Sequence, residues 1–141
     1  MSESMFSRLG GEPFFRALVE DFYEGVATDP ILRPMYPEGD LQPAIERLTL
    51  FLMQYWGGPE TYSERRGHPR LRMRHAAFPI DAEAKDAWLR HMLSALDKQS
   101  VDKNLDIELR AYLTSTAEFL VNQLPPEVRA ITPDKVIKPL P

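Results

Sequence analysis

Apolar positions recur at three- and four-residue intervals along most of the chain, and no useful stretch alternates with period two, so the pattern predicts an all-α fold. After Gly10-Gly11, the residues Phe15, Leu18, Val19, Phe22, Tyr23 and Val26 share one helical face, with Pro13 suited to the first turn and Asp29-Pro30 past the end. A second stripe, Leu41, Ala44, Ile45, Leu48, Phe51, Leu52 and Tyr55, begins behind Asp40 as its expected N-cap and stops at Gly57-Gly58-Pro59. Asp81 is the expected cap of a third long helix, with Ala84, Ala87, Trp88, His91, Met92, Ala95 and Leu96 inward. A fourth runs from about Asn104, with Leu105, Leu109, Tyr112, Leu113, Thr116, Phe119 and Leu120 as its stripe. The link ILRPMYPEG is too rich in proline for a long helix, and residues 59–68 read as a loop. Pro69 suits the start of a short helix that Pro79 must end.

Five of the chain's 13 prolines lie in LPPEVRAITPDKVIKPLP, which has no helical stripe. The expected organisation is therefore one domain over residues 1–124 and a flexible proline-rich tail over 125–141. A chain of 141 residues suits a single core of this kind. No apolar run approaches the ~20 residues that span a bilayer, and the start MSESMFSRLGGEP lacks the basic and apolar regions of an export signal, which predicts a cytoplasmic protein without a membrane span.

Composition narrows the chemistry. With no cysteine there is no disulfide, thiolate zinc site, iron–sulfur cluster or cysteine nucleophile, so any metal must be held by histidine, carboxylate, tyrosine or methionine. A net charge of -4 argues against a general nucleic-acid binder. The basic residues are nevertheless uneven, since Arg65, Arg66, Arg70, Arg72 and Arg74 place five of 17 within ten residues.

These arginines surround two histidines in RGHPRLRMRHAAFPI, residues 66–80. On the short predicted helix, Leu71, His75 and Phe78 stand at i, i+4 and i+7 and share an apolar face, while Arg70, Arg72 and Arg74 mostly point elsewhere. One reading makes His75 a core histidine bonded to a backbone carbonyl. Against it, a helix of about seven residues does not stand alone, and its small face is a poor reason to dock so many cations near a core. A large planar ligand with an apolar body and acidic edges accounts for both, and haem is such a ligand. One imidazole suffices to bind its iron, and its propionates need cations or water. A protein-only zinc site needs three or four ligands, and His68, His75 and His91 form no short pair. On the other side of such a ligand, the inward polar-tipped aromatics are Tyr23, Tyr36 and Trp88, each of which also serves as ordinary core filling.

From about Phe6 to Leu124 the sequence resembles truncated haemoglobins of the second group, the 2-over-2 globins, and especially their actinobacterial members. The resemblance is carried by Gly10-Gly11, Gly57-Gly58, the segment FLMQYWGGPETYSERRGHPRLRMRHAAFPI and the following AWLRHM. It implies four main helices in two antiparallel pairs, haem b as cofactor, and His75 as the proximal iron ligand. It further implies Tyr23, Tyr36 and Trp88 as distal residues that stabilise a bound ligand, with Ala44 where many globins carry a distal histidine and Leu48 one turn further. Arg47 takes the place of a propionate contact, with Arg74, Tyr62 and His68 at the edge, and Phe51, Leu71, Phe78 and Met92 complete the implied haem surroundings. Ala77 stands where related sequences often carry proline, and the tail has no counterpart.

The function implied is reversible binding of oxygen, carbon monoxide and nitric oxide, with a polar cage that slows oxygen release. Carriage or sensing then competes with turnover as a nitric-oxide dioxygenase or peroxidase, which needs an electron donor. A homodimer is left open. The reading from another class is a haem-free helical module that uses the arginine-rich segment 65–74 to hold an acidic partner.

Overall fold

The computed structural model describes residues 4–36, 39–67 and 80–121. Helices α1 (Met5–Leu9), α2 (Glu12–Val26), α3 (Gln42–Tyr55), α4 (Thr61–Arg66), α5 (Ala82–Asp97) and α6 (Lys103–Leu120) make up the described chain, with a 3-10 turn at Arg33–Met35. The α2 helix packs on both α3 and α5, α5 packs on α6, and α4 leans on α3. Two helix pairs, α2/α3 and α5/α6, thus meet across the α2–α5 contact. The core between them holds Phe15, Leu18, Val19, Phe22 and Val26 of α2, Leu52 and Met53 of α3, and Met92, Ala95 and Leu96 of α5. Among the described residues, no helix is long and apolar enough to cross a membrane.

The caps follow local chemistry. Asp81 accepts a hydrogen bond from the Ala84 amide at 2.8 Å and Asp102 one from Asn104 at 3.2 Å, each satisfying an orphan donor of a first turn. Asp40 lies one residue further out than expected and accepts from the Gln42 amide at 3.0 Å, while Leu41 occupies the N-cap position itself. Two short helices depart from the sequence reading. Residues 59–68 contain α4, held because Gln54 accepts from the Ser63 amide at 2.9 Å and donates to its hydroxyl at 2.7 Å, with Tyr62 buried beneath. The unforeseen α1 begins at a Ser4 cap, ends at Gly10 with φ +110, and is tied to the end of α3 by Phe6 N donating to Trp56 O at 2.8 Å.

Three stripe positions also differ. Tyr55 and Phe119 are half-exposed, and Ala117 is the buried residue near the end of α6. His91 is only partly buried, with its ring against the buried Asp29 carboxylate. Thr49 on α3 is fully buried, and its hydroxyl has no hydrogen-bond partner among the described residues. The short helix expected between Pro69 and Pro79 and the tail over 125–141 lie outside the described residues.

Candidate functional site

A cavity of about 410 Å³ opens between the helix pairs, within the range of roughly 300 to 1,000 Å³ typical of small-molecule and cofactor pockets. Leu32, Met35, Ala44, Leu48, Phe51, Leu52, Ile80, Ala84, Leu113, Ala117 and Leu120 give it a largely apolar lining. Into this lining three segments bring polar-tipped aromatics: Tyr23 from α2, Tyr36 from just after the 3-10 turn, and Trp88 from α5. The Tyr23 and Tyr36 hydroxyls lie 3.5 Å apart. Their rings meet edge to face at 5.4 Å, and Phe22 bridges the group by touching Tyr23 at 4.8 Å and Trp88 at 5.3 Å. The aromatics therefore form one continuous cluster.

Arg47, Arg66 and Lys85 also border the cavity and supply cations to an otherwise apolar space. Arg66 reaches over the Tyr62 ring at 5.8 Å, and Tyr62 packs edge-on against Phe51 at 5.6 Å. A flat apolar body with carboxylate edges fits this lining, so the residues present suit haem.

Of the residues singled out from sequence, Tyr23, Tyr36, Ala44, Arg47, Leu48, Phe51, Tyr62 and Trp88 all border the cavity. Met92 does not: it is fully buried in the core, since one further turn along α5 carries it behind the wall. His68, Leu71, Arg74, His75 and Phe78 lie outside the described residues. Sequence reading missed Arg66, Lys85, Tyr112 and Thr116 as cavity residues. Lys85 stands three positions before Trp88 and Thr116 three after Leu113, so helical spacing alone put them within reach of the same face. Burial pushes the Tyr112 phenol up to about 12, against the opposing hydrogen bond with Thr116, which keeps it a neutral wall residue.

Behind the polar wall, Asp29 is buried at the end of α2. Its Oδ1 accepts from the Ile31 and Leu32 amides at 2.7 and 3.1 Å, and its Oδ2 meets His91 Nε2 at 2.6 Å and Arg90 Nη2 at 3.3 Å. The His91 bond, helped by the two amides, outweighs burial and holds the carboxyl down at about 2.

The chain matches the family model described as bacterial-like globin over residues 4–122. It is 42% identical over 120 residues to a group 2 truncated hemoglobin of Bacillus subtilis (strain 168), covering 85% of this chain and 90% of that protein. Among solved structures, a thermostable hemoglobin from the actinobacterium Thermobifida fusca is 57% identical, with a TM-score of 0.84 over 85% of this chain and 98% of that one. A truncated oxygen-avid haemoglobin from Bacillus subtilis is 40% identical, with a TM-score of 0.80 over 85% and 100%. The helix pairs described above are thus the 2-over-2 sandwich of these structures. The chain belongs to the bacterial-like globin family as a group 2 truncated haemoglobin, a protein that binds haem and, through it, oxygen.

Proposed function

We propose that Tyr23, Tyr36 and Trp88 form a donor cage that retains oxygen in the cavity, with His75 as the single protein ligand to the haem iron. When bound, haem supplies an iron atom that takes oxygen, carbon monoxide or nitric oxide. The observation that carries the reading is the asymmetry of the cavity: three polar-tipped aromatics from separate segments converge on one part of a lining that is otherwise mostly hydrocarbon. Phenol and indole groups so placed donate to a ligand that accumulates negative charge. In a dry site each such bond contributes roughly 1.5 to 3 kcal/mol. Arg47, Arg66 and Lys85 balance acidic groups at the cofactor's edge, a role in which Arg66 and Lys85 join the expected Arg47. The small Ala44 leaves room above the site that a larger side chain would fill.

Retention of this kind suits redox chemistry on oxygen, nitric oxide or peroxide better than storage, and such turnover requires an electron donor. The description of one Bacillus subtilis relative as oxygen-avid supports the same direction. A cytoplasmic location completes the reading. The purified protein should show a Soret band, and His75→Ala should lose stable haem binding while His91→Ala keeps it. A colourless protein that refuses added haemin would instead favour the arginine-rich interaction module, and haem retained by His75→Ala but lost by His91→Ala would overturn the ligand assignment.

A further inference from the structure

The Asp29 carboxylate joins two parts of the polar wall that share no local sequence. Through Oδ1 it organises the turn after α2, because that oxygen accepts from the Ile31 and Leu32 amides while the Asp29 carbonyl accepts from the Arg33 amide at 2.9 Å. Arg33 carries the arrangement on to Tyr36, since its Nη1 donates to the Tyr36 carbonyl at 2.8 Å and its Nη2 to Gly39 at 3.1 Å. Through Oδ2 the same carboxylate is held by His91, three residues after Trp88 on α5. The turn that carries Tyr36 and the helix that carries Trp88 are thereby fixed to each other.

Gly25 makes this approach possible. It sits within α2 directly beneath the His91 ring, and a Cβ placed there would overlap Nδ1 and approach Cε1 to 2.9 Å. The absence of a side chain at residue 25 is what lets the imidazole lie flat enough on α2 to reach Asp29. Arg90 reaches the same oxygen from a largely exposed position and over a longer distance, so it is the weaker holder.

We infer that His91 is a positioning residue for oxygen retention: through Asp29 it keeps Tyr36 in register with Trp88, so that both donors serve one ligand. The inference rests on the donor-cage reading above. His91 does not border the cavity and acts only through the turn.

The experiment compares the haem-loaded parent with His91→Ala, His91→Gln, Gly25→Ala, Tyr36→Phe and the double variant His91→Ala/Tyr36→Phe. Oxygen release is followed by stopped flow, and amide exchange at Ile31 and Leu32 by mass spectrometry or NMR. His91→Ala should quicken both release and exchange, with the quickening of release no greater than that caused by Tyr36→Phe. His91→Gln, which keeps an N–H able to reach the carboxylate, should recover part of each effect. Gly25→Ala should reproduce the loss by displacing the ring without deleting any polar group, and it stands in if His91→Ala does not fold. In the Tyr36→Phe background, His91→Ala should add nothing to release. A lowered melting temperature with unchanged oxygen release in His91→Ala, or additive effects in the double variant, would overturn the inference while leaving the cage intact. Unchanged release in Tyr36→Phe itself would overturn the cage and the inference together.

Discussion

The wall built by α2, the turn after it and α5 differs from the wall built by α3 and α6 in what holds its side chains. On the first, Tyr23, Tyr36 and Trp88 bring polar atoms into a buried space, and the turn beneath Tyr36 is set by hydrogen bonds accepted by Asp29 and donated by Arg33. On the second, Leu48, Phe51, Leu52, Leu113, Ala117 and Leu120 present hydrocarbon, with Arg47, Tyr112 and Thr116 as the polar exceptions. A hydrocarbon wall is fixed by volume, and a donor wall is fixed by direction. Changes to the first should therefore appear in ligand kinetics and changes to the second in stability.

The largest expected effect is on the volume-fitted wall. Leu113→Ala removes a buried side chain, which should destabilise the haem-loaded protein by about 2 to 5 kcal/mol. A denaturant titration measures it, and oxygen release should change little beside it. On the donor wall the pattern should reverse: Trp88→Phe should keep folding and haem content nearly intact while oxygen release quickens by roughly ten- to a hundredfold. Tyr36→Phe should act in the same direction, and the two should combine non-additively if both serve one ligand. Carbon monoxide, a poorer hydrogen-bond acceptor, should respond less in the same stopped-flow measurement. Unchanged oxygen release in both single variants would erase the distinction between the walls.

Acid provides the next test. The folded Asp29 carboxyl sits at about 2 against an ordinary 3.8, so the fold favours its ionised form. That preference contributes on the order of 2 kcal/mol of stability. It is present above the ordinary value and is lost as the pH falls from about 3.8 towards 2. Melting temperatures across this window should fall less steeply in Asp29→Asn, which starts lower, than in the parent. The smallest effect is expected outside both walls. A chain ending at Leu124 should keep the parent absorption spectrum and nearly its melting temperature, in keeping with a family match that ends at residue 122.

The four long helices were legible because each carries a full apolar stripe and a cap or stop within a few residues, as Asp81 and Gly57-Gly58 do. The short helices α1 and α4 were not, since five or six residues make little more than one turn and draw their stability from contacts elsewhere: Phe6 on Trp56, Gln54 on Ser63. Periodicity also overburied Tyr55, which lies half-exposed at the end of α3 and stacks on Tyr112 with ring centroids 4.0 Å apart. Tyr23, Tyr36, Trp88 and Arg47, picked out from the sequence by their side-chain chemistry, all border the cavity. The Asp29–His91 bond was not legible, because it joins positions 62 residues apart and depends on a missing Cβ at Gly25. Met92, one turn beyond Trp88 on α5, is fully buried and does not border the cavity that the described residues line.

The hydroxyl of Thr49, buried without a partner among the described residues, bears on how selection has treated this core. A buried hydroxyl left without a partner costs about 1 to 3 kcal/mol. Valine has threonine's shape, so Thr49→Val should raise the melting temperature without touching the cavity, whose lining does not include residue 49. Natural sequences sit above a threshold of stability rather than at its maximum. Thr49→Val thus tests whether this helix core holds unused heat tolerance that can be drawn on away from the cavity.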